Sequence, residues 1–547
     1  MTIPSQAKPV IEIYETTLRD GCQGPGISLT MQDKINLTLE LDRLGVHYIE
    51  GGWPGSNPKD SAYFKAAGRL PLKRSTLVAF GCTCRPGGNP PEEDANLRML
   101  LEAGTGVVTL VGKASAFQVT RVLRTNLDEN LRIIRDSIAF LMSHSKAVFF
   151  DAEHYFTGFK EDPGYALACL EVAREAGASR LILCDTTGGS LPWEVAAAVL
   201  AARERLDVPL GFHGHDDGGL AVANSLEAVK SGAIQIQGTI NGYGERCGNA
   251  DLCAIIPNLV FKMGYPSMDP GDLQKLARVS RYVAEVTNQK LDLSQPFVGV
   301  DAFVHKGGLH ADAVAKDVTT YEHIEPGSVG NTRRIPVSEL AGKSSILMRL
   351  DELGIAVAPE DRARVASEIL DRIKIMEHEG FHYEAAEASF ELLVRRVLGE
   401  EIPSFENLGF RIIVEMAPPG GALPFLPGPG TSMMSDATIK LMVAGRVVHA
   451  AAEGNGPVNA LDNALRKALI EFYPSIGRVR LADYKVRVLD GHDGTESVVR
   501  VMIESTDGQR TWNTMGVSGN IIEASWQALV DAISYWLIHS EESGLPG

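Results

Sequence analysis

Between residues 11 and 265 the chain repeats one rhythm, a short run rich in β-branched and aromatic residues followed by a helix-patterned stretch, at a spacing of about thirty residues. Eight such runs can be read, at 11–14, 48–50, 76–80, 107–111, 147–151, 181–184, 210–213 and 234–240. Parallel strands need a crossover between them, so eight strand–helix repeats predict an α/β fold, the closed (β/α)8 or TIM barrel. The first repeat shows the punctuation: Thr30 stands at an N-cap position, Leu37, Leu41 and Leu44 recur at i, i+4 and i+7, and Gly45 can close the helix.

A barrel of this kind builds its site from the loops that follow its strands. Those positions carry, in order, Arg19 and Asp20, Glu50, Glu153, Asp185 with Thr186, His213 with His215, and a Gly-rich run that ends at Asn249. Residues i and i+2 of a strand share a face, so His213 and His215 can aim two imidazoles at one point. Asp20 can add a carboxylate and Asn249 an amide oxygen, a donor set that suits Mg, Mn, Co or Zn with positions left for substrate. Alone, His-x-His at a strand end is also compatible with two polar loop residues; Asp20 and Asn249 favour the metal.

The rhythm divides the chain into a catalytic barrel over 1–268, mostly helical linker subdomains over 269–404 and a C-terminal α+β domain over 405–547. The linker carries His305-Lys-Gly-Gly-Leu-His310-Ala-Asp312 and then Thr319-Thr-Tyr321-Glu-His323, too polar a stretch to be a mere connection. After residue 405, two successive strand-strand-strand-helix patterns predict an internal duplication, with helices over 458–472 and 521–539. Ile522, Trp526, Leu529 and Ile533 mark one apolar face of the last helix. Residues 418–430 hold five prolines and four glycines and read as a loop.

Composition excludes several function classes. A net charge of -17 without a block of basic residues argues against nucleic acid and anionic membrane as partners. The first twenty residues lack a signal-type apolar run, and no stretch supplies eighteen uninterrupted apolar residues, so a cytoplasmic location is expected. Seven scattered cysteines in a long chain read as reduced thiols, and Cys82 and Cys84 are too close for a zinc knuckle.

Three motifs, Leu18-Arg19-Asp20-Gly21, Phe212-His213-Gly214-His215 and Gly242-Tyr-Gly-Glu-Arg-Cys-Gly-Asn249, resemble those of the DRE-TIM metallolyase superfamily. Within it, Tyr48-Ile-Glu-Gly-Gly-Trp-Pro-Gly-Ser-Asn-Pro-Lys-Asp60, Asp151-Ala-Glu-His154 and Tyr321-Glu-His-Ile324 look like the citramalate synthase branch, whose relatives are the 2-isopropylmalate and homocitrate synthases. Gly516-Val-Ser-Gly-Asn-Ile-Ile-Glu-Ala-Ser-Trp526 is similar to the regulatory domain many of these synthases carry, and shorter lyases of the superfamily lack. Two positions depart from the relatives' pattern, Cys22 before Gln23 and Asp216-Asp217 after His215.

The resemblance implies a Claisen condensation of acetyl-CoA with a 2-oxo acid, followed by thioester hydrolysis. The branch implies pyruvate as the acceptor, a place in isoleucine biosynthesis and isoleucine as effector, with 2-oxoisovalerate or homocitrate chemistry as alternatives. It further implies a divalent metal on Asp20, His213, His215 and Asn249 that chelates the 2-oxo acid, Arg19 on the developing alkoxide and Thr186 on the substrate carboxylate. Glu153 would move the methyl proton. His310 and Tyr321 resemble residues that relatives supply from a partner subunit's linker, which implies a homodimer. Amidohydrolase-type barrels also use His-x-His, but on the first strand, whereas here it falls on the seventh. A catalytically silent amino-acid sensor would have no use for the polar set at the mouth.

Overall fold

The eight runs become eight strands because each is half apolar and each hydrogen-bonds to the next. In the computed structural model, which describes residues 8–542 apart from 89, 336–341, 401, 403–404, 417–432 and 490–496, β1 (Glu12–Glu15), β2 (Tyr48–Gly52), β3 (Thr76–Cys82), β4 (Val107–Lys113), β5 (Ala147–Glu153), β6 (Arg180–Asp185), β7 (Leu210–Gly214) and β8 (Gln235–Gly238) form a closed barrel. β8 returns parallel to β1, with Glu12 opposite Gln235 and Tyr14 opposite Gln237. The expected TIM barrel is therefore the observed one. The helix Met31–Leu44 is capped reciprocally by Thr30 and Asp33 and ends at Gly45, whose φ of 94° is a left-handed conformation that costs glycine little.

Alternation along the strands decides what faces the lumen. Tyr14, Val78, Phe149, Ile182 and Cys184 fill its middle, while Ile13, Ile49, Val108, Val148, Leu183 and Phe212 face the surrounding helices. This compact unit comprises Met1–Phe303 and His323–Arg333. The helices Pro270–Leu273 and Leu276–Val286 belong to it, with Leu273, Leu276 and Val279 in its core.

The second unit comprises Val304–Glu322 and Arg334–Gly547. Its helices Lys343–Glu352, Arg362–His378 and Glu387–Val397 share a core of Ile346, Leu350, Ile369, Ile373, Phe390 and Val394. The duplicated pattern is present: β9 (Glu406–Met416), β10 (Met433–Val443) and β11 (Arg446–Gly454) precede the helix Pro457–Leu469, and β12 (Arg480–Val488), β13 (Val499–Thr506) and β14 (Thr511–Ser518) precede the helix Ile521–Glu542. Both sheets are antiparallel, with β10 and β13 central. Ala437, Ile439, Leu441 and Val443 bury one face of β10, alternating with the outward Thr438, Lys440 and Met442. The loop read at 418–430 lies outside the described residues. Among the described residues, no helix is long and apolar enough to cross a membrane.

Candidate metal and active site at the barrel mouth

A cavity of about 440 Å³ opens where the barrel strands end, a size that suits a small-molecule site. Arg19, Asp20, Glu153, Thr186, His213 and His215 line it. Closure of the barrel brings β1 and β7 to one rim, so Asp20, His213 and His215 offer ligand atoms all within 4.8 Å of one another, and all three are buried. His213 Nε2 lies 3.5 Å from Asp20 Oδ2.

Asn249 pairs with His215 in a short antiparallel bridge, and its amide stands close enough to Asp20 to help hold that carboxyl down. The loop that delivers it is built on unusual backbone: Asn241, Gly242, Arg246 and Gly248 all have positive φ. A side chain at Gly248 would meet the Gly242 carbonyl at 2.1 Å, so only glycine permits this turn. The Gly248 carbonyl in turn accepts from His215 Nδ1 at 3.2 Å, which leaves Nε2 for a ligand.

The donor set fits a divalent cation. Asp20 Oδ1 and Asn249 Oδ1 are buried without a hydrogen-bond partner among the described residues, and leaving such an acceptor unmet costs about 1–3 kcal/mol. Burial drives the His213 ring down to about 3, against the opposing pull of Asp20, so the ring is held in the neutral form that ligates metals. Burial also pushes the Asp20 carboxyl up, but Arg19 and the two imidazoles outweigh it and keep Asp20 below its ordinary value.

Arg19 is held in place from three sides. Its Nε donates to Glu50 Oε2 at 2.5 Å, its Nη1 lies 3.2 Å from Asp20 Oδ2, and its guanidinium packs over the Phe80 ring at 3.8 Å. Glu50 is fully buried and also accepts from Tyr14 at 2.6 Å and Thr16 at 2.5 Å. Its oxygens lock Arg19 rather than face solvent. Glu153 is ion-paired with Lys113, a residue on β4 that the sequence reading did not single out. Thr186 Oγ1 accepts from the His154 backbone N–H at 2.8 Å, so its own proton is free to donate into the cavity.

Sequence reasoning also passed over Asp151 and Gln237, which lie deeper in the lumen. Gln237 donates to Asp151 at 3.1 Å, and Asp151, raised well above its ordinary value by burial and then by the charge of Glu50, lines the cavity floor. Arg246, within the Gly-rich run, lines the rim and forks onto Asp217 at 2.8 and 3.0 Å. His310 and Tyr321 belong to the second unit, where their rings stack with centroids 4.2 Å apart.

Three known families match successive stretches of the chain. Residues 10–283 match the HMGL-like family, 297–378 the homocitrate synthase post-HMGL domain-like family and 384–537 the LeuA allosteric (dimerisation) domain. The chain is similar to the (R)-citramalate synthase of Geobacter sulfurreducens, at 48% identity over 97% of this chain and 98% of the relative. It is 47% identical to the (R)-citramalate synthase of Aquifex aeolicus over 98% and 99% of the two chains. A 2-isopropylmalate synthase of Methanocaldococcus jannaschii is 30% identical over 97% and 96%. The chain belongs to the HMGL-like family, in the branch of the (R)-citramalate synthases.

Proposed function

We propose that the chain joins acetyl-CoA to pyruvate and hydrolyses the resulting thioester, releasing (R)-citramalate and CoA on the route to isoleucine. The observation that carries this reading is full-length likeness: identity of 47–48% to relatives named for that reaction falls to 30% for the 2-isopropylmalate synthase. The converging groups at the mouth supply the chemistry it needs.

Asp20, His213, His215 and Asn249 would hold a divalent cation, Mg or Mn first among the choices, with Zn or Co able to substitute. When bound, the cation supplies Lewis acidity to the keto group of the 2-oxo acid. Arg19, with Nε and Nη1 committed to Glu50 and Asp20, presents its Nη2 edge to the alkoxide that develops on that keto oxygen. Because the guanidinium is already fixed, little reorganisation accompanies the reaction. Thr186 donates to the substrate carboxylate. Glu153, paired with Lys113, takes the methyl proton of acetyl-CoA.

His310 and Tyr321 close the site over CoA and activate the hydrolytic water from the linker of a second subunit in a homodimer. Support comes from their setting: Tyr321 is half exposed and Leu309, next to His310 in the chain, is 85% exposed, apolar surface of the kind that marks an interaction site. In this reading the chain divides into a barrel over 1–268, a linker over 269–404 and a regulatory domain over 405–547, and isoleucine binds the last part. The protein works in the cytoplasm.

Release of CoA with pyruvate, 2-oxoisovalerate and 2-oxoglutarate tests the substrate, and a higher kcat/KM with either larger acid would overturn the choice. Added isoleucine should lower turnover by the full chain; no response across millimolar concentrations would remove it as effector.

A further inference from the structure

The two imidazoles of the candidate metal site are supported differently. His215 gives its Nδ1 proton to the Gly248 carbonyl. His213 turns Nε2 toward Asp20, and its buried Nδ1 completes no hydrogen bond of good geometry among the described residues, although the Gln237 amide lies near enough to act on the ring. A metal-ligating histidine almost always donates its second ring N–H to an acceptor, which fixes tautomer and ring orientation.

An acceptor stands across the sheet. The register of β7 and β8 pairs His213 with Gln237, and both side chains point into the lumen. Gln237 is fully buried; its Nε2 is committed to Asp151 Oδ1 at 3.1 Å, and its Oε1 is buried without a hydrogen-bond partner among the described residues. Two unmatched atoms of opposite hydrogen-bonding character therefore sit on paired positions whose side chains interact, one able to donate and one to accept.

We infer that Gln237 is a positioning residue for the metal: its Oε1 takes the Nδ1–H of His213, and Asp151, by holding the other end of the amide, fixes which atom His213 meets. The proton on Nδ1 leaves the Nε2 lone pair directed at the cation. This relay reaches from β7 through β8 to β5, so the strength of the site depends on two residues that touch neither the metal nor the substrate's reacting carbon.

The inference rests on the metal reading of Asp20, His213, His215 and Asn249, and the test separates the two. Co²⁺ is titrated into the metal-free full chain by calorimetry, and the exchangeable, paramagnetically shifted imidazole N–H resonances of the loaded chain are recorded by NMR. Wild type should bind Co²⁺ and show two such resonances, one per ligating ring. Gln237→Leu should weaken Co²⁺ binding by roughly ten- to a hundredfold and lose or shift one resonance. In Gln237→Glu combined with Asp151→Asn the polarity is reversed: the introduced carboxylate accepts from His213 with one oxygen, and the introduced amide donates to the other. That double variant should regain most of the affinity and the second resonance, a rescue that mere packing would not produce.

Co²⁺ affinity and both resonances unchanged in Gln237→Leu would overturn the inference. So would a folded double variant that binds Co²⁺ roughly ten- to a hundredfold more weakly than wild type, a comparison that also decides the matter if the leucine variant does not fold. Wild type that takes up no Co²⁺ would instead defeat the metal reading itself.

Discussion

Each end of the barrel lumen holds an arginine and a glutamate, and the two pairs are built to different ends. Where the strands begin, Arg180 forks onto Glu12 with distances of 3.0 and 2.8 Å, and Gln235 adds a donor at 3.2 Å. That pair closes on itself. At the mouth, Arg19 divides its donors between Glu50 and Asp20, and beside it Asp20 Oδ1 and Asn249 Oδ1 are left without partners. Buried polar atoms are normally satisfied, so a pair that spends all its valence on protein is structure, whereas one that leaves acceptors over is aimed at something the chain does not supply.

Removing Asp20 should break the contrast most severely. Asp20→Ala deletes the carboxylate that both imidazoles face, so calorimetry should find no stoichiometric divalent binding and CoA release should fall to background. Retained metal binding in this variant would mean the ligands lie elsewhere. Arg19→Ala comes next: loss of one charge-stabilising donor typically lowers rate by a factor of roughly a hundred to a thousand. Because Arg19 is not a ligand, metal affinity should stay near wild type. Equal loss of metal in both variants would erase the division of labour between them.

Much of this end of the barrel was legible in the sequence, and the reasons are specific. Asp20, His213 and His215 could be read because residue type and the i, i+2 spacing together specify a ligand face. Strand limits could be read only approximately: the eighth run extends over 234–240, but β8 stops at Gly238 because Thr239 and Ile240 leave the ladder for the loop. Asp151, Gln237 and Lys113 could not be read as a set. A polar residue on a strand looks the same whether it meets solvent or a lumen, and only closure of β8 onto β1 places Gln237 across from Asp151.

A third glutamate sharpens the comparison by having no arginine. Glu15 lies on β1 with Glu12, is fully buried, and relies on Thr17 and the Ile240 amide, at 3.4 Å, as donors. Burial raises it to about 7. The folded chain therefore keeps a proton that the unfolded chain releases, and stability should fall as pH rises from the ordinary value of 4.5 to about 7. The full penalty, up to about 3 kcal/mol above that window, should be absent below it. Glu15→Gln removes the titration, so its melting temperature relative to wild type should climb between pH 4.5 and 7.5 in calorimetry. A difference that does not change with pH would show that Glu15 stays ionised.

The smallest effect belongs to the closed pair, and it is the one that tests the distinction most directly. Burial pushes Glu12 up, but the Arg180 guanidinium outweighs it and holds the carboxyl below its ordinary value. The stabilisation is therefore present above pH 4.5 and lost as pH falls through the lowered folded value, the opposite sign to Glu15. The pair is partly exposed, with side chains at 22% and 17%, so solvent screening limits its contribution to about 1 kcal/mol. Arg180→Met combined with Glu12→Gln should lower the melting temperature slightly at pH 7 and lose that difference near pH 3. Divalent affinity and CoA release should be unchanged, because both Glu12 oxygens are met by Arg180 and Gln235 and the pair sits at the opposite end of the lumen from the candidate ligands. A drop in metal affinity from this distant double variant would mean that the two ends of the lumen are mechanically coupled, and that a self-satisfied pair can still tune the site above it.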